Sequence, residues 1–248
     1  MSMPTPVVLI TGAAVGIGFS IATLLLARGH RIVAIDIDGK TLAEAYADFD
    51  DASVLQVVAD IADPVTATRA VESGVAHFGR LDALVNNAGL HGAAWGQPAL
   101  DYSMDDWATL FSVNVFAIPI LAKAARRALA AAGGVVVNLS SMVGYGHGAA
   151  SPYAVSKAAV NGLTIALAGE LGKDGIRVVG VAPGFIATEV VLAGLDQQAR
   201  DRLHGLQTVK GQGTPEDIAE VVAFLISPAA RMITATTVIA DLGITRRP

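Results

Sequence analysis

The feature that most constrains this chain is a short apolar run that keeps returning. Val7 to Ile10, Arg31 to Ile35, Val54 to Val58, Ala83 to Val85, Val135 to Leu139, Arg177 to Val181 and Thr237 to Ile239 are rich in Val and Ile and do not alternate with polar residues. Runs of this length and kind form strands covered on both faces, as in a parallel sheet. Between them, apolar residues recur at helical spacing over Ile17 to Arg28, Lys40 to Phe49, Val65 to Phe78, Met104 to Ala131, Pro152 to Leu171 and Pro215 to Leu225. Pro119 falls inside the fourth segment and is expected to kink it. Strand and helix alternate from end to end without linker or repeat, which predicts one doubly wound α/β domain over residues 1–248. Within it, residues 188–213 are punctuated by four glycines, a pattern open to a flap over a site or to a surface helix pair.

Right-handed crossovers in such a sheet gather every strand C-terminus at one edge, where ligands bind. Composition narrows what chemistry that edge can hold. The 248 residues include no cysteine, which excludes disulfides, thiolate metal sites and cysteine nucleophiles and fits a reducing, cytoplasmic setting. No His, Asp and Glu cluster has metal-ligand spacing. With 17 basic against 22 acidic residues there is no broad positive field for nucleic acid. Mean hydropathy is high, at +0.54. Yet the longest stretch without Asp, Glu, Lys or Arg, Ala128 to Ser156, is interrupted by Gly133, Gly134 and Pro152, unlike a membrane span. Residues 1–6 lack the pattern of a signal peptide. Buried strands, and helices shared between subunits, are the expected cause.

Four successive strand ends carry features that suit a nucleotide. Thr11-Gly-Ala-Ala-Val-Gly-Ile-Gly18 follows the first strand and opens the first helix. Its small residues, with Gly12, Gly16 and Gly18 among them and Ile17 between the last two, allow close backbone approach to a pyrophosphate at a helix N-terminus. Asp36 ends the second strand at the distance where an acid accepts hydrogen bonds from an adenosine ribose. No Lys or Arg lies nearby to receive a 2′-phosphate, so NAD is expected over NADP. Asp60 and Ile61 end the third strand, and Asn86-Asn87-Ala88-Gly89 the fourth. Each alone makes an ordinary turn; their succession points to a dinucleotide.

Tyr153 and Lys157 stand four apart at the start of a helical segment and therefore share one face. An ammonium beside a phenol favours the phenolate and adapts a tyrosine to proton transfer. An isolated Tyr-x-x-x-Lys is mostly a surface or core-edge pair, but here it is not isolated. The glycine turn, Asn86 to Gly89, Asn114 in Val-Asn-Val, Ser140-Ser141 in Asn-Leu-Ser-Ser-Met-Val-Gly, Tyr153 to Lys157, and Pro183-Gly184 occur in that order.

The combination resembles the short-chain dehydrogenase/reductase family over essentially the whole chain. The resemblance implies a Rossmann-like sheet of about seven mainly parallel strands flanked by helices, and a homotetramer. It implies an NAD-dependent oxidoreductase interconverting a secondary alcohol and a ketone. Tyr153 would be the general acid/base. Lys157 would hold the nicotinamide ribose and lower the tyrosine pKa. Ser141 would bond the reacting oxygen, and Asn114 would hold a water linking Lys157 to solvent. Gly12, Gly16, Ile17, Gly18, Asp36, Asp60, Ile61, Asn87, Ala88 and Gly89 would line the cofactor, with Pro183, Gly184, Ile186 and Thr188 orienting its nicotinamide. Counting thirteen residues back from Tyr153 reaches Ser140, whereas the motif selects Ser141; Ser141 is preferred, with a one-residue deletion in 144–152. The C-terminal Asp241-Leu-Gly departs from the family's usual Asp-Gly-Gly.

His91 and His147 are expected to border the site as lining or structural residues, and Trp95 and Tyr145 to shape its rim. The expected pocket segments, 90–100, 143–152 and 190–206, are mainly apolar and small, which suggests an uncharged, fairly hydrophobic substrate. Two rival readings are a 3-oxoacyl carrier-protein reductase and a non-catalytic nucleotide-binding protein. Few basic residues are available to the first for an acidic carrier, and the filled catalytic positions weigh against the second.

Overall fold

A computed structural model of the chain describes residues 5–146, 151–188, 191–192 and 196–246. Seven strands form one sheet: β1 (Val7–Thr11), β2 (Arg31–Asp36), β3 (Val54–Val58), β4 (Ala83–Asn86), β5 (Val135–Leu139), β6 (Arg177–Pro183) and β7 (Thr236–Ala240). Their order is β3-β2-β1-β4-β5-β6-β7 and every pairing is parallel. The chain winds outward from β1 to β3, then returns to β4 and winds the other way. A crevice therefore opens between the C-terminal ends of β1 and β4.

Helices cover both faces. α1 (Gly16–Ala27), α2 (Gly39–Ala45) and α8 (Pro215–Ile226) close one face over a core containing Ile10, Ile21, Leu25 and Val222. On the other, α3 (Pro64–Phe78), α5 (Ala117–Ala132) and α6 (Pro152–Leu171) pack over Leu9, Leu84, Leu121 and Val136. Each fully buried Val or Leu contributes roughly 1.5–3 kcal/mol, which explains why the central strands carry no polar alternation. The prediction of double coverage holds for β1, β4 and β5, whose residues are all buried, but not at the edges. β3 alternates half-buried with exposed residues after a buried Val54, and β7 is at most half-buried, because each lies at an edge of the sheet.

Local chemistry sets the element ends. Pro64 opens α3 behind an Asp63 cap, and Gly79 closes it in the left-handed conformation at φ 74°. Ser151 caps α6 ahead of Pro152, and Thr214 with Asp217 forms a reciprocal cap on α8. The helix expected to reach Phe49 stops at Ala45, where Tyr46 leaves helical geometry and turns into the core.

The long fourth helical segment also differs from expectation. α4 (Met104–Phe111) passes into a wide π turn over Ser112–Phe116 before α5 begins. The irregularity precedes Pro119. A proline ring crowds the carbonyl four residues back, here Val115, so the turn widens before the proline. The continuous segment Met104–Ala132 is long and apolar enough to cross a membrane. In this fold its buried residues, Leu110, Leu121, Ala125 and Leu129 among them, pack within the domain. Between β6 and α8, α7 (Gln197–Leu206) lies within the glycine-punctuated segment.

Candidate active site

The turn after β1 is built for close backbone approach. Gly12 holds φ 64°, and a Cβ there would lie 2.8 Å from the Ala88 Cα. A Cβ on Gly18 would lie 2.0 Å from the Gly12 carbonyl oxygen. Asn87 clamps this turn to the end of β4, its amide donating to the carbonyls of Thr11 (2.9 Å) and Gly12 (3.0 Å). The Thr11 hydroxyl accepts from the backbone of Asn87 and Ala88, each at 3.1 Å. Among the described helices, α2, α3, α4, α6, α7 and α8 each have a side-chain cap. α1 has none, and no acid in its first turn. Its free N–H groups, positive dipole end and glycine cradle together fit the pyrophosphate of a dinucleotide.

Asp36 sits beside this cradle with both oxygens oriented by backbone. Its Oδ2 accepts from Ala14 (3.0 Å) and its Oδ1 from Asp38 (3.1 Å), which leaves acceptor capacity on each. Behind it lies Tyr46, fully buried, whose hydroxyl donates to the Ala13 carbonyl at 2.8 Å. Nothing in the sequence singled out Tyr46, because its role depends on α2 ending just before it. Asp60 remains exposed, with Oδ1 accepting from Ala62, whereas the Ile61 side chain is buried in the core beneath α3. The β6 extension also reaches the crevice. Pro183 is buried, Gly184 donates to the Ala240 carbonyl, Ile186 bridges Gly213, and the Thr188 methyl lies 3.6 Å from where a Cβ on Gly16 would stand.

The groups expected to handle the proton meet beyond β4 and β5. Ser141, at the end of β5, is hydrogen-bonded to the Tyr153 phenol, which favours the phenolate. Burial acts more strongly in the other direction and pushes the phenol up to about 12. The expected lowering by Lys157 is absent from this balance. The lysine is itself buried and donates its ammonium to the Leu139 carbonyl at 2.7 Å, 5.7 Å from the tyrosine ring centroid. Desolvation brings Lys157 down to about 8. Ser140 points elsewhere: it is buried and donates to the Lys157 carbonyl at 3.0 Å.

Asn114 stands in the middle of the π turn, buried, with its side chain engaged in scaffolding. Its Oδ1 accepts from the Leu90 N–H (2.7 Å), and its Nδ2 donates to the Leu90 carbonyl and the Ser156 hydroxyl (3.1 Å each). The amide thus ties the strand-end loop to α6 next to Lys157, and both its donors are taken. Gly89 fits between them; a Cβ there would lie 3.2 Å from the Asn114 Oδ1 and 3.5 Å from the Lys157 Nζ.

His91 borders this group, its imidazole held below the ordinary range first by removal from water and then by the Lys157 charge. Trp95 stacks on Tyr102 at 5.8 Å, and Tyr102 pins the loop through Ala94 and Gln97. His147 lies outside the described residues, as do 148–150, 189–190 and 193–195 of the expected pocket segments. Beside the described part of the expected pocket segment 190–206 lies a cleft of about 200 Å³ between the β6 extension and α7. Its walls are more polar than expected: Phe185 and Leu192 face Gln197, Arg200, Asp201, His204 and Gln212. Among the described residues no group of three could hold a metal ion.

A parallel sheet with an uncapped glycine cradle, a backbone-oriented acid at the end of β2 and a Ser-Tyr-Lys group at one edge fits an oxidoreductase of the dinucleotide-binding class. Residues 12–245 match the family described as enoyl-(acyl carrier protein) reductase. A probable short-chain type dehydrogenase/reductase of Bradyrhizobium diazoefficiens is 37% identical, over 96% of this chain and 86% of the relative. The cis-4-hydroxycyclohexanecarboxylate dehydrogenase of Sinomonas cyclohexanicum is 35% identical, over 96% of each chain. A solved structure of 3-ketoacyl-(acyl-carrier-protein) reductase from Brucella melitensis, complexed with NADH, superposes with a TM-score of 0.88 at 29% identity, over 99% of this chain and 100% of the other. The chain belongs to the short-chain dehydrogenase/reductase family.

Proposed function

We propose that the protein is an NAD-dependent oxidoreductase that interconverts a secondary alcohol and a ketone. The single observation that carries this reading is the convergence of Ser141, Tyr153 and Lys157 at the sheet edge that also holds the uncapped α1 cradle and Asp36. Gly12, Gly16, Gly18 and the α1 N–H groups would hold the pyrophosphate, Asp36 the adenosine ribose, Asp60 and the Ile61 backbone the adenine side. Lys157 would hold the nicotinamide ribose, and the 183–188 segment the carboxamide. Bound there, the nicotinamide would supply or accept the hydride.

The chain's own groups handle the proton and the oxygen. Tyr153 rests protonated at neutral pH and donates that proton to the carbonyl oxygen in reduction; in oxidation the phenol first gives up its proton towards Lys157 and solvent, and the resulting phenolate takes the alcohol proton. Ser141 bonds the same oxygen and orients the phenol. Lys157, near 8, can return the proton from solvent, and Asn114 shapes that route by fixing Leu90 and Ser156.

The proposed substrate is small and uncharged, with an apolar body against Leu90 and Trp95. Segment 188–213, carrying α7, would act as a substrate-side flap, and the assembly would be a cytoplasmic homotetramer. The rival carrier-protein reductase draws support from the names of the matched family and of the Brucella structure. Against it, Arg126 is already paired with Asp174 (2.6 Å) and Glu170 (3.5 Å), which removes one of the few cations available to an acidic carrier. Oxidation of NADH and NADPH over a panel of free ketones and acyl thioesters tests the reading. Activity with NADH and free ketones, lost in Tyr153→Phe, is expected; a fully active Tyr153→Phe enzyme sinks the mechanism.

A further inference from the structure

We infer that Tyr46 is a positioning residue for dinucleotide recognition, setting the geometry of Asp36 and the glycine turn from beneath the site. The inference rests on the proposed dinucleotide reading and extends it to a residue that touches neither cofactor nor substrate.

The contacts around Asp36 form a closed circuit. The Ala13–Ala14 dipeptide leaves β1 and must lie against the end of β2 if Asp36 is to face a ribose bound over the turn. Two bonds hold it there: the Ala13 N–H to the Ile35 carbonyl at 3.1 Å, and the Ala14 N–H to the Asp36 Oδ2 at 3.0 Å. A third grip is the Ala13 carbonyl, which the Tyr46 hydroxyl takes at 2.8 Å. Tyr46 cannot drift, because its ring is fully buried between Phe19 (5.6 Å) and Phe49 (5.8 Å). The circuit closes through α2, whose cap Asp38 gives its own N–H to the Asp36 Oδ1 at 3.1 Å while its side chain holds Lys40 and Thr41.

The direction of the phenol bond matters for recognition. Tyr46 donates to a carbonyl and not to the nearby carboxylate, so the second lone pairs of Asp36 stay available for ribose hydroxyls. Burial and the Asp36 charge both push the phenol pKa up, so the group stays a neutral donor across the working pH range. Removing the hydroxyl leaves the carbonyl of the buried Ala13 without this partner, and the turn is free to shift away from β2. Recognition of the adenosine ribose weakens, while the Ser141–Tyr153–Lys157 group, on other elements, is untouched.

The test is direct binding of NADH, NADPH and ADP-ribose to the full-length protein, followed by cofactor fluorescence or calorimetry, for wild type, Tyr46→Phe, Asp36→Ala and the double variant. Expected for Tyr46→Phe is a three- to tenfold weaker Kd for NADH and ADP-ribose and a smaller change for NADPH. KM for NADH should rise while kcat at saturating NADH stays within twofold. The Asp36→Ala and Tyr46→Phe losses should be less than additive, since both act on one contact. Thermal unfolding of each variant, with binding measured well below its midpoint, separates positioning from general loosening. Unchanged affinity for all three ligands in a folded Tyr46→Phe protein overturns the inference, as does an equal loss for all with full additivity. The wild-type NADH-to-NADPH ratio separately tests the proposed cofactor. A wild type preferring NADPH would sink that reading, while weaker ADP-ribose binding by Tyr46→Phe would still uphold the positioning role.

Discussion

The Ser140 hydroxyl donates to the Lys157 carbonyl at 3.0 Å, across 17 residues of chain. Gly144 reinforces this contact from the following turn, where a Cβ would stand 2.7 Å from the Lys157 carbonyl carbon. The two adjacent serines therefore act differently. Ser140 docks the β5 end onto α6, and Ser141 faces the phenol.

Ser141→Ala should lower kcat/KM by roughly 100-fold or more, a loss of about 2.7 kcal/mol or more in transition-state stabilisation. Ser140→Ala should keep most activity and lose about 1 kcal/mol of stability, seen as a midpoint lower by roughly 2–4 °C. Steady-state kinetics beside thermal unfolding reads both. Inactivity in Ser140→Ala with a near-normal Ser141→Ala would reverse the assignment.

Lys157 makes stability rise with pH. Its pKa falls from 10.5 when unfolded to about 8 when folded, so between these values the unfolded chain binds the extra proton. Stability contributed by this group should therefore grow by roughly 2 kcal/mol from pH 8 to pH 10 and level off below pH 8, where both states are protonated. Denaturant unfolding of wild type and Lys157→Met should diverge by that amount over this range. Parallel pH profiles would show that the buried ammonium is not destabilised as the structure implies.

Gly18→Ala puts a methyl 2.0 Å from the Gly12 carbonyl oxygen, and the obstacle is backbone that cannot rotate away. The turn must open, so NADH affinity should fall at least tenfold. Gly29→Ala serves as the contrast. Its Cβ meets nothing within 4 Å, although φ is 80°, so it should cost stability through backbone strain while leaving NADH binding unchanged. Equal binding by wild type and Gly18→Ala would refute the cradle.

A buried polar ladder runs from Asn86 through Asn138 (2.8 Å) to Thr164 (3.0 Å) and ends on the Val160 carbonyl (2.8 Å). Thr164→Val keeps the shape and removes the acceptor for the Asn138 amide. The expected cost is about 1–3 kcal/mol, read as a lower unfolding midpoint with KM for NADH unchanged. A midpoint equal to wild type would mean that another group satisfies the amide.

Much of the fold was legible because seven Val- and Ile-rich runs are best buried side by side in one sheet. Strand positions and the helix starts at Pro152 and Pro215 were readable from apolar periodicity, while α3 begins at Pro64, one residue before the expected Val65. Pro119 signalled an irregularity near the π turn at 112–116, but the Asn114 contacts made from that turn were not legible, because they reach Leu90 and Ser156, residues 24 and 42 positions away. Tyr46 was likewise invisible: one residue past a short helix, it gains meaning only when α2 folds back onto the glycine turn.

By itself, then, the chain's pattern of apolar runs, small-residue turns and the Tyr153–Lys157 spacing determined a doubly wound sheet and the residue types gathered at its edge, because these follow from local periodicity and steric rules. Tertiary structure decided how those residues divide their hydrogen bonds. It turned Lys157 to Leu139, Ser140 to Lys157, the Asn114 amide to Leu90 and Tyr46 to Ala13. Burial also raised the Tyr153 phenol to about 12, against the direction that a lysine four residues on suggests. The reason is that desolvation and hydrogen-bond geometry depend on which atoms pack around a group, and that is settled only when distant segments meet.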